Sequence, residues 1–189
     1  MGCRGQLEKY CSRVEDAVSR LPEQFDHIER AIHMVSDCFQ EAGKILLIGN
    51  GGSAADAQHL AAELVGRFMA ERKALPAIAL TTDTSILTAV ANDYSFDRVF
   101  ARQIEALGRA GDVLIAISTS GNSRNIIEGV LAAKNVGLKV IGMTGSAGGR
   151  LAEVADLCIS APTDETSHIQ ELHIMIGHMI CAQVEELSQ

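Results

Sequence analysis

His59 and Glu63 are two reactive side chains that stand four residues apart in a stretch of helix-forming composition. Residues at this spacing share one face of a helix, so the imidazole and the carboxylate would point to the same place. Both groups are ligands for divalent transition metals. An ordinary pair on a solvated helix face is an equally good interpretation of the two residues alone.

A second group of polar side chains lies near the end of the chain, where three of its six histidines fall within eleven residues. The group comprises His168, Gln170, Glu171, His173 and His178. On a helix, Gln170 and His178 would be separated by about 80° and would line a common side. These residue types can bind a divalent metal, glutamine most weakly, but the spacing alone does not establish a metal site.

The stretch that carries His59 and Glu63 begins at a glycine-rich turn with the sequence GNGGS, residues 49–53. Its glycines permit positive φ and a close approach of the backbone to a ligand. Ser53 can cap the following helix, whose free N–H groups would then face an anion. The turn also fits the loose dinucleotide fingerprint, but no acidic residue ends a strand about 20 residues later to bind a ribose. A tight turn without a ligand is the alternative.

A hydroxyl-rich loop with the sequence STSGNS, residues 118–123, follows the third apolar run of the βα region. Hydroxyls, loop amides and a helix N-terminus together form a cradle for phosphate. The loop has no GK[ST] signature, which argues against a magnesium–nucleotide site and favours a phosphomonoester such as a sugar phosphate. The alternative is a solvated loop that ends in an N-cap.

Asn92 and Asp93 form a polar pair after the second predicted strand and its helix. They are expected to break that helix, and their side chains can bond sugar hydroxyls. By residue type alone, a plain turn is favoured over a ligand contact.

The elements that must position these residues form a repeated βα pattern from Lys44 onward, which predicts a parallel sheet covered by helices on both faces. Ligands bind such sheets beyond the carboxyl ends of the strands, where all the loops above lie. Strands are predicted at 45–48, 77–80, 113–117, 139–143 and 157–159. Helices are predicted at 53–68, 84–91, 96–107, 123–136, 149–154 and 164–187.

Residues 5–42 show helical periodicity and predict two helices, the second beginning after Pro22 and ending near Gly43. No linker separates them from the rest. The chain, 1–189, is therefore interpreted as one domain with a three-layer α/β/α sandwich, and 1–43 as a helical extension expected at a subunit interface.

Composition excludes several classes of protein. The net charge of -8 argues against a nucleic-acid-binding surface. No apolar run approaches the roughly 18 residues of a membrane span, and the first ten residues lack the apolar stretch of a signal peptide. Five scattered cysteines without a CxxC motif indicate reduced thiols rather than disulfides. A cytoplasmic protein that binds neither membrane nor nucleic acid is expected.

Taken together, these motifs resemble the bacterial phosphoheptose isomerase family, which has the SIS (sugar isomerase) fold. The resemblance extends over nearly the whole chain, N-terminal helices included. It is carried by the segments GNGGS (49–53), QHLAAELVGRF (58–68), AND (91–93), STSGNS (118–123) and IQELHIMIGH (169–178).

The resemblance implies an aldose–ketose isomerase that converts sedoheptulose 7-phosphate to D-glycero-D-manno-heptose 7-phosphate through an enediol. This is the first step toward the heptose of lipopolysaccharide and of nucleotide-activated heptoses. It also implies a flavodoxin-like five-stranded sheet, a homotetramer with sites built across subunits, and one zinc ion per subunit.

The resemblance further assigns roles to individual residues. Glu63 would be the base and His178 the acid or its partner. Zinc would be held by His59, Glu63, Gln170 and His178. Substrate would be bound by Asn50, Gly51, Gly52, Ser53, Glu63, Asn92, Asp93, Ser118, Thr119, Ser120, Ser123 and Gln170.

Two other functions occur on the same fold. A non-catalytic relative binds the replication initiator and lacks the glutamate and the last-helix histidine, whereas Glu63 and His178 are both present here. A sugar-phosphate-sensing regulator would need a DNA-binding module, which this sequence does not append. The sequence leaves open whether zinc is catalytic or structural, and which subunit supplies His178.

Overall fold

A five-stranded parallel sheet forms the centre of the protein, whose computed structural model describes residues 2–188. The strands lie in the order β2-β1-β3-β4-β5, which is the flavodoxin-like doubly wound topology. The predicted sheet and its parallel pairing are therefore confirmed. The strands are β1 Ile45–Gly49, β2 Ala77–Ala79, β3 Val113–Ile117, β4 Lys139–Thr144 and β5 Leu157–Ser160.

Helices cover both faces of the sheet and precede it at the N-terminus. Short 3-10 turns occupy Leu21–Gln24 and Phe96–Arg98. The α-helices are α1 Cys3–Arg20, α2 Phe25–Gln40, α3 Gly52–Val65, α4 Thr84–Asp93, α5 Val99–Leu107, α6 Arg124–Val136, α7 Gly149–Val154 and α8 Thr166–Leu187.

Alternate residues of each central strand enter two different apolar cores. Ile45 and Leu47 of β1 pack in the core that includes α2, α3 and α8, whereas Leu46 and Ile48 pack in the core that includes α5, α6 and α7. All four side chains are fully buried. Each burial of this size contributes about 1.5–3 kcal/mol, so the continuous apolar runs are what a sheet covered on both sides requires.

Several predicted boundaries differ from the structure, and three of the differences concern site segments. Ser53 does not cap α3, because the N-cap is Gly51 and Ser53 lies buried in the first turn. Asn92 and Asp93 do not break α4 but form its last turn. The helix predicted at 53–68 ends at Val65, and the N–H groups of Phe68, Met69 and Ala70 bond to the carboxylate of Glu185 instead of continuing the helix.

The N-terminal helix α1 contributes little to either core. Ala17 is the only one of its residues that is buried within the described part of the chain, whereas α2 buries five. Within residues 2–188, no helix is long and apolar enough to cross a membrane.

Candidate active site

The glycine-rich turn and the hydroxyl-rich loop leave the sheet side by side. Gly49, the last residue of β1, is in register with Ile117, the last residue of β3. The strand order reverses between these two strands, which is where doubly wound sheets bind ligands. The two loops, each predicted separately to bind a ligand, are therefore neighbours.

A reciprocal amide pair joins the glycine-rich turn to α6. Asn50 Nδ2 donates to Asn125 Oδ1 at 2.9 Å, and Asn125 Nδ2 donates to Asn50 Oδ1 at 2.8 Å. Asn125 is buried in the first turn of α6. Its partner lies 75 residues earlier in the chain, so no local signal in the sequence could have identified it.

Gly51 and Gly52 fit the turn closely to the residues around it. Gly51 has a φ of 56°, which disfavours any residue with a side chain. A Cβ at Gly52 would lie 2.5 Å from Nε2 of Gln170, so the amide of Gln170 lies directly against the turn. The structure thus brings Gln170 of α8 to the N-terminus of α3.

The hydroxyl-rich loop leads from β3 into α6. Ser118 is buried, Thr119 and Ser123 are half-buried, and Ser120 is exposed. Ser118 Oγ donates to Ser123 Oγ at 3.3 Å, and Ser123 occupies the N-cap position without a side-chain capping bond. Its hydroxyl therefore stays in the loop, beside the free N–H groups of the first turn of α6, as an anion site requires.

Arginines border the same loop. A cavity of about 480 Å³ includes Asn122, Arg124 and Arg150 in its lining, and the backbone N–H of Arg150 donates to Asn122 Oδ1 at 3.1 Å. Arg98, Asp97 and Glu128 also line this cavity, so guanidinium groups and carboxylates both lie near the loop. Arg124 directly follows the loop in the sequence, whereas no spacing predicts the proximity of Arg150.

His59, Glu63 and His178 converge on one point. Nε2 of His59 lies 3.1 Å from Oε1 of Glu63 and 3.0 Å from Nε2 of His178. One potential ligand atom from each residue lies within 4.8 Å of the other two. All three lie in one chain, so α8 places His178 beside His59 and Glu63 without a second copy.

The donor set of this triad fits zinc. Two imidazole nitrogens and one carboxylate oxygen are typical ligands of that ion. Gln170, the fourth predicted ligand, lies on the same helix as His178 with its amide against Gly52.

Phe68 and Asp56 adjoin the triad, and the sequence predicts no role for either. The ring of Phe68 stacks on that of His178 with centroids 5.2 Å apart and an interplanar angle of 30°. Asp56 lies one turn before His59, and within the described residues its Oδ2 is buried without a hydrogen-bond partner. Burial raises the pKa of Asp56, and the charge of His59 lowers it to a smaller extent.

Asn92 and Asp93 make no side-chain hydrogen bond to the other predicted site residues within the described chain. Both are exposed, and Asn92 Nδ2 donates to Asp93 Oδ1 at 2.9 Å. Among the described residues, these two side chains form hydrogen bonds only with each other.

Comparisons with known proteins agree with this geometry. Residues 9–145 match the model of the family described as SIS domain. The phosphoheptose isomerase of Rhodospirillum rubrum is 51% identical over 181 residues, which is 96% of each chain. The structure of phosphoheptose isomerase GmhA from Neisseria gonorrhoeae superposes with a TM-score of 0.93 at 43% identity, covering 98% of this chain and all of that one. A phosphoheptose isomerase from Francisella tularensis superposes with a TM-score of 0.95 at 36% identity, with the same coverage.

Proposed function

The chain belongs to the phosphoheptose isomerase family, and on that basis we propose that it converts sedoheptulose 7-phosphate to D-glycero-D-manno-heptose 7-phosphate. The observation that carries the proposal is the convergence of Glu63 with His59 and His178 beside two ligand-type loops. Such a site can hold a sugar phosphate by both ends and move a proton between adjacent carbons.

In this proposal the two loops divide the substrate between them. The phosphate group binds to the hydroxyls of Ser118, Thr119, Ser120 and Ser123 and to the N-terminus of α6. The sugar end lies at Asn50, Gly51 and Gly52, within reach of Gln170. Asn92 and Asp93 bind sugar hydroxyls at the far side of the site, as in the family pattern.

Glu63 is the base of the proposed reaction. Its carboxylate removes a proton from C1 of the ketose, and the electron pair of the C–H bond forms the C1–C2 double bond of an enediol. Glu63 then returns the proton to C2, which completes the aldose. His178 provides a proton to the C2 oxygen and accepts the one that leaves the C1 oxygen, so no net proton is gained or lost.

We also propose that His59, Glu63, Gln170 and His178 hold one zinc ion per subunit. Zinc polarises oxygen ligands as a Lewis acid, a chemistry suited to the oxygens of an enediol. Elemental analysis of protein purified without chelator should detect zinc at about one ion per chain, and the His59→Ala variant should lose it. Wild-type protein without bound metal would contradict the assignment.

The turnover assay tests the function directly. Purified protein supplied with zinc is incubated with sedoheptulose 7-phosphate, and formation of the aldose is followed. Absence of the aldose would overturn the proposal. The non-catalytic alternative predicts the opposite result, namely no turnover and capture of the replication initiator; it has less support because Glu63 and His178 are both present and adjacent.

The same family pattern supports three further proposals about the whole protein. Residues 1–189 form one domain, four copies assemble into a tetramer through the N-terminal helices, and the enzyme works in the cytoplasm at the start of heptose synthesis for lipopolysaccharide or related glycans. The exposed α1 is the structural observation that supports the assembly, because nearly all of its surface remains uncovered by its own chain.

A further inference from the structure

A buried ion pair lies behind the triad, where α8 passes the segment that follows α3. The side chains of Arg72 and Glu185 are 3% and 4% exposed, and Arg72 Nε lies 3.2 Å from Glu185 Oε2. The Nε–H group does not point at the oxygen, so the contact is electrostatic rather than a hydrogen bond. Two charges this deeply buried cost solvation energy, which the other contacts of each group must offset.

Glu185 binds the backbone of the segment after α3. Its two carboxylate oxygens accept hydrogen bonds from the N–H groups of Phe68 at 2.8 Å, Met69 at 2.8 Å and Ala70 at 2.6 Å. These bonds, that of Ala70 foremost, lower the pKa of Glu185 and keep it charged. The carboxylate therefore fixes the backbone from which Phe68 projects.

Arg72 binds the end of α3. Its Nη2 donates to the carbonyl oxygen of Glu63 at 2.8 Å, and its Nη1 donates to that of Leu64 at 2.9 Å. Carbonyl groups in the last turn of a helix have no partner within the helix, and a cation there is favoured by the helix dipole. The guanidinium thus holds the backbone of the residue proposed as the base.

We propose that Arg72 and Glu185 are positioning residues for the isomerase reaction, an inference that rests on the proposed function. Together they fix the backbone of Glu63 and seat the ring of Phe68 on His178. His178 lies on α8 two turns before Glu185, so the pair joins both halves of the site. Neither residue contacts the hydroxyl-rich loop within the described chain, so the pair acts on proton transfer and not on phosphate binding.

The decisive variants are Glu185→Gln, which removes the charge and keeps an acceptor, and Phe68→Leu, which removes the stacked ring and leaves the ion pair intact. Each should lower kcat on sedoheptulose 7-phosphate by on the order of tenfold to a hundredfold, because small displacements of reacting groups have effects of this size. KM should stay within about twofold in both, since phosphate binding is untouched. Glu185→Asp should recover part of the lost kcat.

Glu186→Gln is the matched control, because this neighbouring carboxylate is exposed and contacts Gln183 on its own helix. It should leave kcat and KM unchanged. Equal kinetic constants for Glu185→Gln, Phe68→Leu and this control would overturn the inference. If Glu185→Gln fails to fold, Glu185→Asp replaces it: a kcat below that of Glu186→Gln supports the inference, and an equal kcat overturns it.

A second readout does not depend on turnover. The readout is the NMR spectrum of zinc-free protein that carries isotope-labelled histidine. The resonance of the His178 imidazole is identified as the one that is lost in His178→Gln. The stacked ring of Phe68 should shift this resonance. That shift should disappear in Glu185→Gln and persist in Glu186→Gln. A shift that persists in Glu185→Gln contradicts the positioning role, whereas a wild-type protein that shows the shift but no turnover contradicts only the proposed function.

Discussion

Glu63, the proposed base, combines an accessible carboxylate with a fixed backbone. Its side chain is 25% exposed, its Oε1 is 3.1 Å from His59, and its backbone carbonyl is held by Arg72. The side chain can therefore approach a ligand while the backbone beneath it stays fixed. This combination separates it from the many exposed glutamates of the chain.

The Glu63→Gln variant should lose turnover by on the order of 10²–10⁴-fold, because the amide has the same shape but cannot accept the proton from C1. Thermal unfolding should stay close to that of the wild type, since a partly exposed side chain is replaced by an isostere. Glu71→Gln, an exposed carboxylate in the segment after α3, is the control and should keep full turnover. Near-normal turnover of Glu63→Gln would exclude it as the base.

His173 gives stability a specific pH dependence. It is fully buried, its Nε2 lies 3.0 Å from the carbonyl oxygen of Thr144, and burial lowers its pKa from 6.5 to about 4. The unfolded chain therefore takes up a proton at a pH where the folded chain does not. The contribution of His173 to the free energy of unfolding is therefore complete above about pH 6.5 and is lost progressively as the pH falls toward 4. The loss between pH 7 and pH 5 is about 2 kcal/mol.

The His173→Gln variant tests this dependence, because the amide can still donate to Thr144 but does not titrate. Urea unfolding measures the free energy of unfolding of each protein at pH 7 and at pH 5. The loss of this free energy between the two pH values should be smaller in the variant than in the wild type by about 2 kcal/mol. All other titrating groups are common to both proteins. An unchanged difference would mean that His173 does not account for the pH dependence.

At the residue scale, the sequence predicts those roles that have a local pattern. His59 and Glu63 share a helix face, and their convergence with His178 is present in the structure. Arg72 and Glu185 could not be predicted, because charged residues near a turn and near a chain end are ordinarily solvated. Their burial depends on how α8 crosses α3, which no local spacing encodes.

At the scale of elements, the alternation of apolar strands with helices is enough to predict the sheet, whereas helix ends depend on tertiary contacts. All five strands appear where the apolar runs predict them. The end of α3 lies three residues earlier than predicted, and the N–H groups of Phe68, Met69 and Ala70 bind a carboxylate far along the chain. The packing of α3 on α8 therefore determines both the helix end and the triad.

Gly177 sets the distance between α3 and α8. A Cβ at this position would overlap the side chain of Leu60, and His178 is the next residue. Gly177→Ala should reduce the unfolding free energy by about 1–2 kcal/mol, because overpacking outweighs the better helix propensity of alanine. Turnover should fall as well, because α8 must move away from His59.

A double-mutant cycle with Leu60→Ala gives the control for this prediction. Leu60→Ala alone should destabilise the protein by about 2–5 kcal/mol through loss of buried volume. In that background the methyl group added by Gly177→Ala has room, so the substitution should be neutral or stabilising, as measured by urea unfolding. If Gly177→Ala lowers the unfolding free energy equally in the wild type and in Leu60→Ala, contact with Leu60 is not the cause.

At the scale of the whole molecule, α1 is the element that its own chain leaves unexplained. Tyr10 Oη donates to Glu171 of α8 at 2.5 Å, and its ring packs edge-on against that of His168. Arg13 pairs at 3.0 Å with Glu165, the N-cap residue of α8. The apolar residues of α1 face a shallow cavity of about 520 Å³ that Val14 and Val18 help to line. Leu7 on the same helix is 62% exposed. An 18-residue helix with one buried side chain gains little from packing, so a second copy of the chain is expected to cover this face.

Val14→Glu should therefore break the assembly without unfolding the domain. Assembly would bury the new carboxylate in an apolar face, where it would lose its hydration without gaining a partner. The domain itself should stay folded, because Val14 belongs to neither of the two cores beside the sheet. Light scattering coupled to size exclusion should give a mass near four chains for the wild type and a lower mass for the variant, with urea unfolding of the α/β core little changed. Lys9→Glu introduces a carboxylate at an exposed position of the same helix and should leave the mass unaltered. A monomeric wild type, or a Val14→Glu variant of unchanged mass, would show that α1 does not form the interface.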